Sequence, residues 1–418
     1  MKRAVAICWC LLLSLAAIGQ EQPRSVTVPI TLDHNRTIID VYLPLPDGKT
    51  KRVRAWVDNG NPELEITESL AQKLGLTFRS EATDTPGGKE RKVRPPASLE
   101  IGKMTVTLTN VEEAHAVVGR DSVAPGCSAE INLPATVLRD YDILFDYPNR
   151  QFTIGAPGSI SFQGKGTKAT INSTNALLQI PSKIDGQDYN IAFDAGSSIS
   201  LLSADLLRKW HESRPAWPQM VGAIGAANMW GAEEEARWQL LRVPTVQYGD
   251  TALTNVVVAS FPEQFMKWYA DRAGVATVGL LGANAFVDYR VGIDYAHSML
   301  YVQRTNAHSA PDFDVVGVIL RPESDDRYTI LGTAEYNGEP AVPDVKPGDV
   351  LVGIDGAPAT GATMGQVWSL LGGTPGQTRA LTLERDGKRF TVQATVRRFL
   401  AVSRTPVKSP RRNPHARN

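Results

Sequence analysis

Two copies of one local pattern, a fixed distance apart, constrain this chain more than any other feature. Tyr189-Asn190-Ile191-Ala192-Phe193-Asp194-Ala195-Gly196-Ser197-Ser198 is an apolar run that ends on a carboxylate, then a small residue, a glycine and two hydroxyls. Arg54-Ala55-Trp56-Val57-Asp58-Asn59-Gly60 repeats the pattern upstream. One Asp-x-Gly means little, because Asp and Gly are both common turn residues. Here each copy is followed by a helix signal. Thr67 is placed to cap Glu68 to Leu74 with Gly75 as the stop, and Ser203 to cap Ala204 to Trp210. The offset is 136 in both cases, from 194 − 58 and from 203 − 67.

The repeat continues. Leu133-Pro134-Ala135-Thr136-Val137-Leu138-Arg139-Asp140-Tyr141 leads to Phe145-Asp146-Tyr147, and Leu281-Gly282-Ala283-Asn284-Ala285-Phe286-Val287-Asp288-Tyr289 leads to Ile293-Asp294-Tyr295. The offset is now 148, from 281 − 133, so the second copy carries 12 more residues in its middle, from 148 − 136. A repeat this long reads as a duplicated lobe rather than a solenoid unit. Val26 to Ile30 and Ile38 to Leu43 alternate like strands, Pro46-Asp47-Gly48 is a turn, and Arg52 to Val57 delivers Asp58. Residues 176 to 194 repeat this order around Asp185-Gly186. Each lobe therefore places one Asp at a strand end, and their junction can hold a two-carboxylate site. Asp146 and Asp294 read as turn or strand-end carboxylates.

On these residues the chain resembles the pepsin/retropepsin-like aspartic proteases in a bacterial two-lobed form. Trp56-Val57-Asp58-x-Gly60, Ala192-Phe193-Asp194-x-Gly196-Ser197 and Leu280-Leu281-Gly282 carry the resemblance, over roughly residues 25 to 304. It implies a mainly β chain with two homologous acid-protease β-barrel-like lobes, at 24–156 and 169–304. It also implies Asp58 and Asp194 as the catalytic pair, supported by Asn59, Gly60, Ala195, Gly196 and Ser197. A flap hairpin is expected in Thr83 to Pro96 with Gly87-Gly88 near its tip, and no tyrosine lies between Asn59 and Asp140 to serve it. The family carries Thr or Ser after each catalytic Asp, whose hydroxyl ties the two turns together. Asn59 can still hydrogen-bond there, Ala195 cannot through its side chain, and Ser197 is placed to hold the outer oxygen of Asp194. Gly/Ala-rich Met220 to Gly231 is either a packing segment or a mobile loop over the cleft.

After residue 311 the pattern changes. Val315 to Leu320, Lys346-Pro347-Gly348-Asp349, Gly353-Ile354-Asp355-Gly356, a helix-like Met364 to Leu371 and Glu384-Arg385-Asp386-Gly387 follow in order. This stretch resembles a bacterial PDZ domain, at 311–399. By that resemblance Val316, Gly317 and Val318 form a carboxylate loop, and Val367 and Leu371 line a groove for a C-terminal peptide added as a strand. Pro340 and Pro343 predict a distorted first helix. A PDZ fold that serves only as a spacer is the alternative.

The rest of the sequence narrows the setting. Lys2-Arg3, the apolar run Ala4 to Ala17 and Ala17-Ile18-Gly19 read as a signal peptide over 1–19. The run is short for a transmembrane helix, so no transmembrane span is expected after cleavage, and the mature protein is expected to be secreted, periplasmic or in the cell envelope. Only Cys127 then remains of 3 cysteines, so no internal disulfide can form; it reads as a buried structural thiol. Residues 400–418 are a basic tail expected to be disordered. Without the 7 basic residues at the two ends, 44 − 7 = 37 basic face 44 acidic residues, a core near −7 that argues against nucleic acid. No His-Glu-x-x-His occurs and the 6 His are scattered, so no metal is expected, nor any cofactor; Gly-x-Ser-x-Gly is also absent, which argues against a serine hydrolase. Residues 156 to 167 read as a linker. The activity expected is endopeptidase, with peptide or protein substrates. The alternative is a catalytically inactive peptide-binding protein, and the two differ in whether Asp58 and Asp194 meet.

Overall fold

The computed structural model describes residues 23–85, 88–305 and 313–402. The expected signal peptide, Gly87 at the flap tip, most of the linker after Thr305 and residues 403–418 of the basic tail lie outside the described residues. The described chain is mainly β. A ten-stranded sheet is built from residues 31 to 134, an eight-stranded sheet from residues 170 to 281, and a six-stranded sheet joins the two halves.

The same arrangement delivers both aspartates. In the first half, Thr50–Asp58 lies parallel to Ile131–Pro134, which is antiparallel to Leu64–Thr67. In the second half, Gln187–Phe193 lies parallel to Gly279–Leu281, which is antiparallel to Ser200–Ser203. The residues leading into each Asp are buried: Ala55, Trp56 and Val57 before Asp58, and Ile191, Ala192 and Phe193 before Asp194. Runs buried on both faces are what strands with parallel neighbours require. In the second half the strand Leu178–Ile184 also pairs with Gln239–Tyr248, which closes that sheet into a barrel.

The helix signals hold with one difference. Thr67 caps Glu68–Lys73 by accepting from Leu70 N, and Gly75 follows with φ +67°. Ser203 stands at the N-cap of Ala204–Ser213 but makes no side-chain cap bond.

The six-stranded sheet displays the duplication directly. Asp142–Asp146 pairs antiparallel with Tyr289–Asp294, and Leu144 sits opposite Gly292. Since 292 − 144 = 148, each is the other's repeat equivalent, and a pseudo-twofold axis passes between them. Asp146 and Asp294 end these strands and accept from Asn149 N and His297 N, as turn carboxylates do. One expectation changes here. Lys165–Lys168, of which the residues up to Thr167 read as linker, is the edge strand of this sheet and pairs with Met299–Val302. Its place is set by backbone bonds, so Lys-Gly-Thr-Lys carries no side-chain pattern to announce it.

Beneath Asp194, Phe193 packs edge-on against Phe286 at 5.0 Å and Phe145 at 5.6 Å. Burying one such ring stabilises by about 1.5–3 kcal/mol, so the turn that follows Phe193 rests on a fixed base.

The C-terminal residues form a separate sheet, in which Val318–Pro322 is an edge strand paired with Tyr328–Thr333, and the helix Met364–Leu371 carries a full capping box at Thr363 and Gln366. Between Pro340 and Val345 there is a turn and no helix, as the two prolines dictate. Among the described residues no helix is long and apolar enough to cross a membrane.

Candidate functional site

The two repeated turns meet. Asp58 is 4% exposed and Asp194 is 7% exposed. Their carboxyls are within hydrogen-bonding reach of each other. The glycines make this approach possible in a reciprocal way. A Cβ on Gly60 would overlap the Asp194 carboxyl, and a Cβ on Gly196 would overlap the Asp58 carboxyl. Each glycine is the floor on which the other lobe's carboxyl lies, which is why the repeat requires Gly two residues after each Asp.

Asn59 supplies the tie between the turns. Its Nδ2 donates to Phe193 O at 2.7 Å, and its Oδ1 accepts from Ala195 N at 2.8 Å. An amide can donate and accept at once, so one side chain satisfies two buried backbone groups of the opposite lobe. Trp56 adds a third link, with Nε1 donating to Gly196 O at 3.2 Å. The one-sided brace expected from Asn59 and Ala195 is therefore already a pair of hydrogen bonds, both made from lobe one. Ala195 is fully buried. Ala195→Thr would force two more heavy atoms into this packed turn, and we expect it to lower stability by about 1–3 kcal/mol, read as a lower melting temperature. A higher melting temperature would mean the turn has room for a second brace.

Ser197 acts differently from the expectation. Its hydroxyl donates to Ile199 O at 2.7 Å, so it does not hold Asp194. The backbone does: Gly196 N and Ser197 N donate to Asp194 Oδ1 at 2.8 and 3.2 Å. The hydroxyl is drawn inward because Ile199 O lies within reach in the same tight turn.

The two carboxyls are unequal. Burial raises Asp58 well above the usual aspartate range, and the charges of Asp194 and Glu65 raise it further. Burial also raises Asp194, to about 6, but bonds from Gly196 N and Ser197 N oppose the rise. Both carboxyls are thus held above the ordinary aspartate range, and the Gly196 and Ser197 amides favour the ionised form of Asp194. Glu65 was missed by sequence reasoning. It follows Asp58 by seven positions, on the strand after the turn, and burial and then the Glu90 charge push it up to about 7. A lone Glu between Leu64 and Ile66 looks like the solvent side of an alternating strand. His115 sits opposite it on the strand Ala114–Val117, and Glu90, which bonds His115 at 3.2 Å, comes from the next strand out, so both become neighbours only in the fold.

The segment 220 to 231 is not a loop over the cleft. Ala223, Ile224, Ala227 and Asn228 are fully buried, and the segment packs on the turn that follows Asp194. Ser198 Oγ donates to Ala226 O at 2.8 Å, and Ser197 Oγ lies 3.5 Å from Met229 Sδ. Of three sizeable surface cavities, one is lined in part by His34, Asn35, Gly225 and Ala226, and neither Asp58 nor Asp194 lines any of the three.

The residues expected to bind a peptide in the C-terminal unit are brought together but already engaged. Val316 N donates to Leu371 O, Val318 N donates to Val316 O, and Gly317 O accepts from Ala334 N. Val367 and Leu371 are fully buried. Cys127 is half-buried, packed near Trp56, rather than enclosed. Among the described residues no group of three or more His, Cys, Asp or Glu is placed to hold a metal.

No protein-family model matches this chain, and no curated protein matches it. Among solved structures, the crystal structure of aspartic proteinase from Irpex lacteus is similar, with 13% identity over 69% of this chain and 99% of that chain and a TM-score of 0.44. A likeness of that size says nothing of the reaction or the substrate of this chain.

Proposed function

We propose that this protein is an aspartic-type endopeptidase of the pepsin/retropepsin kind, acting on peptide or protein substrates through Asp58 and Asp194. The observation that carries the reading is the reciprocal packing of each carboxyl over the other lobe's glycine. A fold that used the two lobes only to grip a peptide would not need both glycines and both carboxyls at one point. In the proposed reaction the ionised Asp194 takes a proton from water as general base. The protonated Asp58 donates to the scissile carbonyl as general acid. Like charges this close resist double ionisation, so the pair carries one proton over a broad range. Neither a covalent intermediate nor a cofactor enters this sequence of steps.

The proposal extends to the setting. The leader-like residues 1–19 support a location in the envelope or outside the cell. The order of motifs from 315 to 387 supports a PDZ-type unit that engages an extended peptide.

Two experiments test the reading. The first tests the function itself: incubation of the mature protein with a diverse peptide pool between about pH 4 and pH 8, read by mass spectrometry. Internal cleavage is expected, and a folded sample that cleaves nothing favours the binding-only protein. The second reads the pH dependence of kcat/KM. Asp194 must be ionised, so activity should fall about tenfold per unit below its value of about 6. An acid limb near the ordinary aspartate value of about 4 would mean that burial does not govern this carboxyl.

A further inference from the structure

The outer edge of Val318–Pro322 is a place where an extended peptide could add as a strand, since this strand pairs on one side only, with Tyr328–Thr333. That edge is filled from within the chain. Asn228 Nδ2 donates to Leu320 O at 2.8 Å, and Leu320 N donates to Asn228 Oδ1 at 2.9 Å. These are the two bonds that one residue of an added antiparallel strand would exchange with Leu320. A carboxamide has the same donor and acceptor as a peptide group, so the Asn228 side chain takes that place.

The filling is held on every side. Glu235, fully buried, accepts from Asn228 Nδ2 at 2.6 Å and from Trp230 N at 2.8 Å. His34 Nε2 lies 2.9 Å from Asn228 O, and the His34 ring stacks on Trp368 of the helix Met364–Leu371. Asp33 Oδ1 accepts from Thr363 Oγ1 at 2.7 Å and from Gly365 N at 3.1 Å. His34 and Asn35 have φ of 55° and 60°, the tight hairpin turn that aims this corner at the helix. The same turn reaches the second catalytic loop, where Asn35 Nδ2 donates to Ser198 O at 3.2 Å.

We propose that the C-terminal unit is a strand-addition site latched in cis: Asn228 occupies the Leu320 edge, and an extended peptide from a partner engages it only by displacing that side chain. The latched segment is the one that packs on Ser197 and Ser198, so displacement also frees a support of the second catalytic turn. This rests on the peptide-engaging reading of the C-terminal unit proposed above and does not need an active Asp pair.

The test uses the full-length protein carrying Asp194→Asn, so that no bound peptide is cut. A fluorescent random decapeptide library is the probe, compared with and without Asn228→Ala. Opening the latch should raise retention at least about tenfold, because a site competent only in a minor fraction binds in proportion to that fraction. Equal retention by both proteins overturns the latch, and no retention by either overturns the peptide-engaging reading. A measurement on the protein with Asn228 intact covers a variant that fails to fold. The Leu320 amide, although on a sheet edge, should exchange with solvent as slowly as interior strand amides. Exchange as fast as an open edge overturns the proposal.

Discussion

Asp194→Asn should lower peptide hydrolysis by about three orders of magnitude or more while leaving the protein folded. Two carboxyls with one proton can be acid and base together, and an amide in place of one of them removes the base. The geometry adds a second expectation that separates loss of chemistry from loss of structure. Asp194 is raised in the folded state to about 6 by burial. Its contribution to stability is therefore full below the unfolded value of about 4 and is lost as pH rises through about 6. Asn cannot ionise and escapes that loss. Above about pH 7 the variant should be more stable than the parent by on the order of 2–3 kcal/mol, and near pH 4 this advantage should vanish. Thermal melts at the two pH values check this. Activity that survives the substitution would end the two-carboxylate account.

Asn59→Ala should be the most damaging single change to the junction that leaves the carboxyls themselves intact. Phe193 O and Ala195 N would each lose a buried partner made at 2.7 and 2.8 Å. An orphaned buried polar group costs about 1–3 kcal/mol, so the pair should cost about 2–6 kcal/mol. The two turns would also lose their register, and turnover should fall along with stability. Urea titration and peptide turnover on the same variant read both effects. A loss below about 1 kcal/mol would mean that Trp56 and the glycine contacts suffice to hold the lobes. Asn59→Thr should fall between, because a hydroxyl can reproduce one donor and one acceptor over a shorter reach.

The duplicated lobes were legible because duplication leaves a fixed offset, and the offset of 148 reappears in the pairing of Leu144 with Gly292. The two aspartates were legible for the same reason. What escaped lies in contacts between residues far apart in sequence. Asn59 looked like half a brace, since a sequence does not show that both ends of its amide find partners 134 and 136 positions away. Glu65 looked like a solvent-facing strand residue, and only the parallel neighbour carrying His115 shows otherwise. Ser197 was assigned to Asp194 by resemblance, whereas Ile199 O competes for its hydroxyl. Asn228 gave no signal at all inside a Gly/Ala-rich stretch. Its role exists only because Glu235, His34 and Leu320 converge on one amide.

In the proposed mechanism Asp58 and Asp194 share one proton and titrate far apart. Carbon-13 NMR of protein labelled at the aspartate carboxyls, followed from about pH 3 to pH 9, measures this directly. One of the two carboxyls should ionise near 6 and the other stay protonated to distinctly higher pH, with the assignment to Asp194 and Asp58 made by loss of each signal in Asp194→Asn and Asp58→Asn. Two carboxyls that both ionise near the ordinary value of about 4 would contradict it, because a pair that is fully charged at neutral pH has no acid to give the scissile bond.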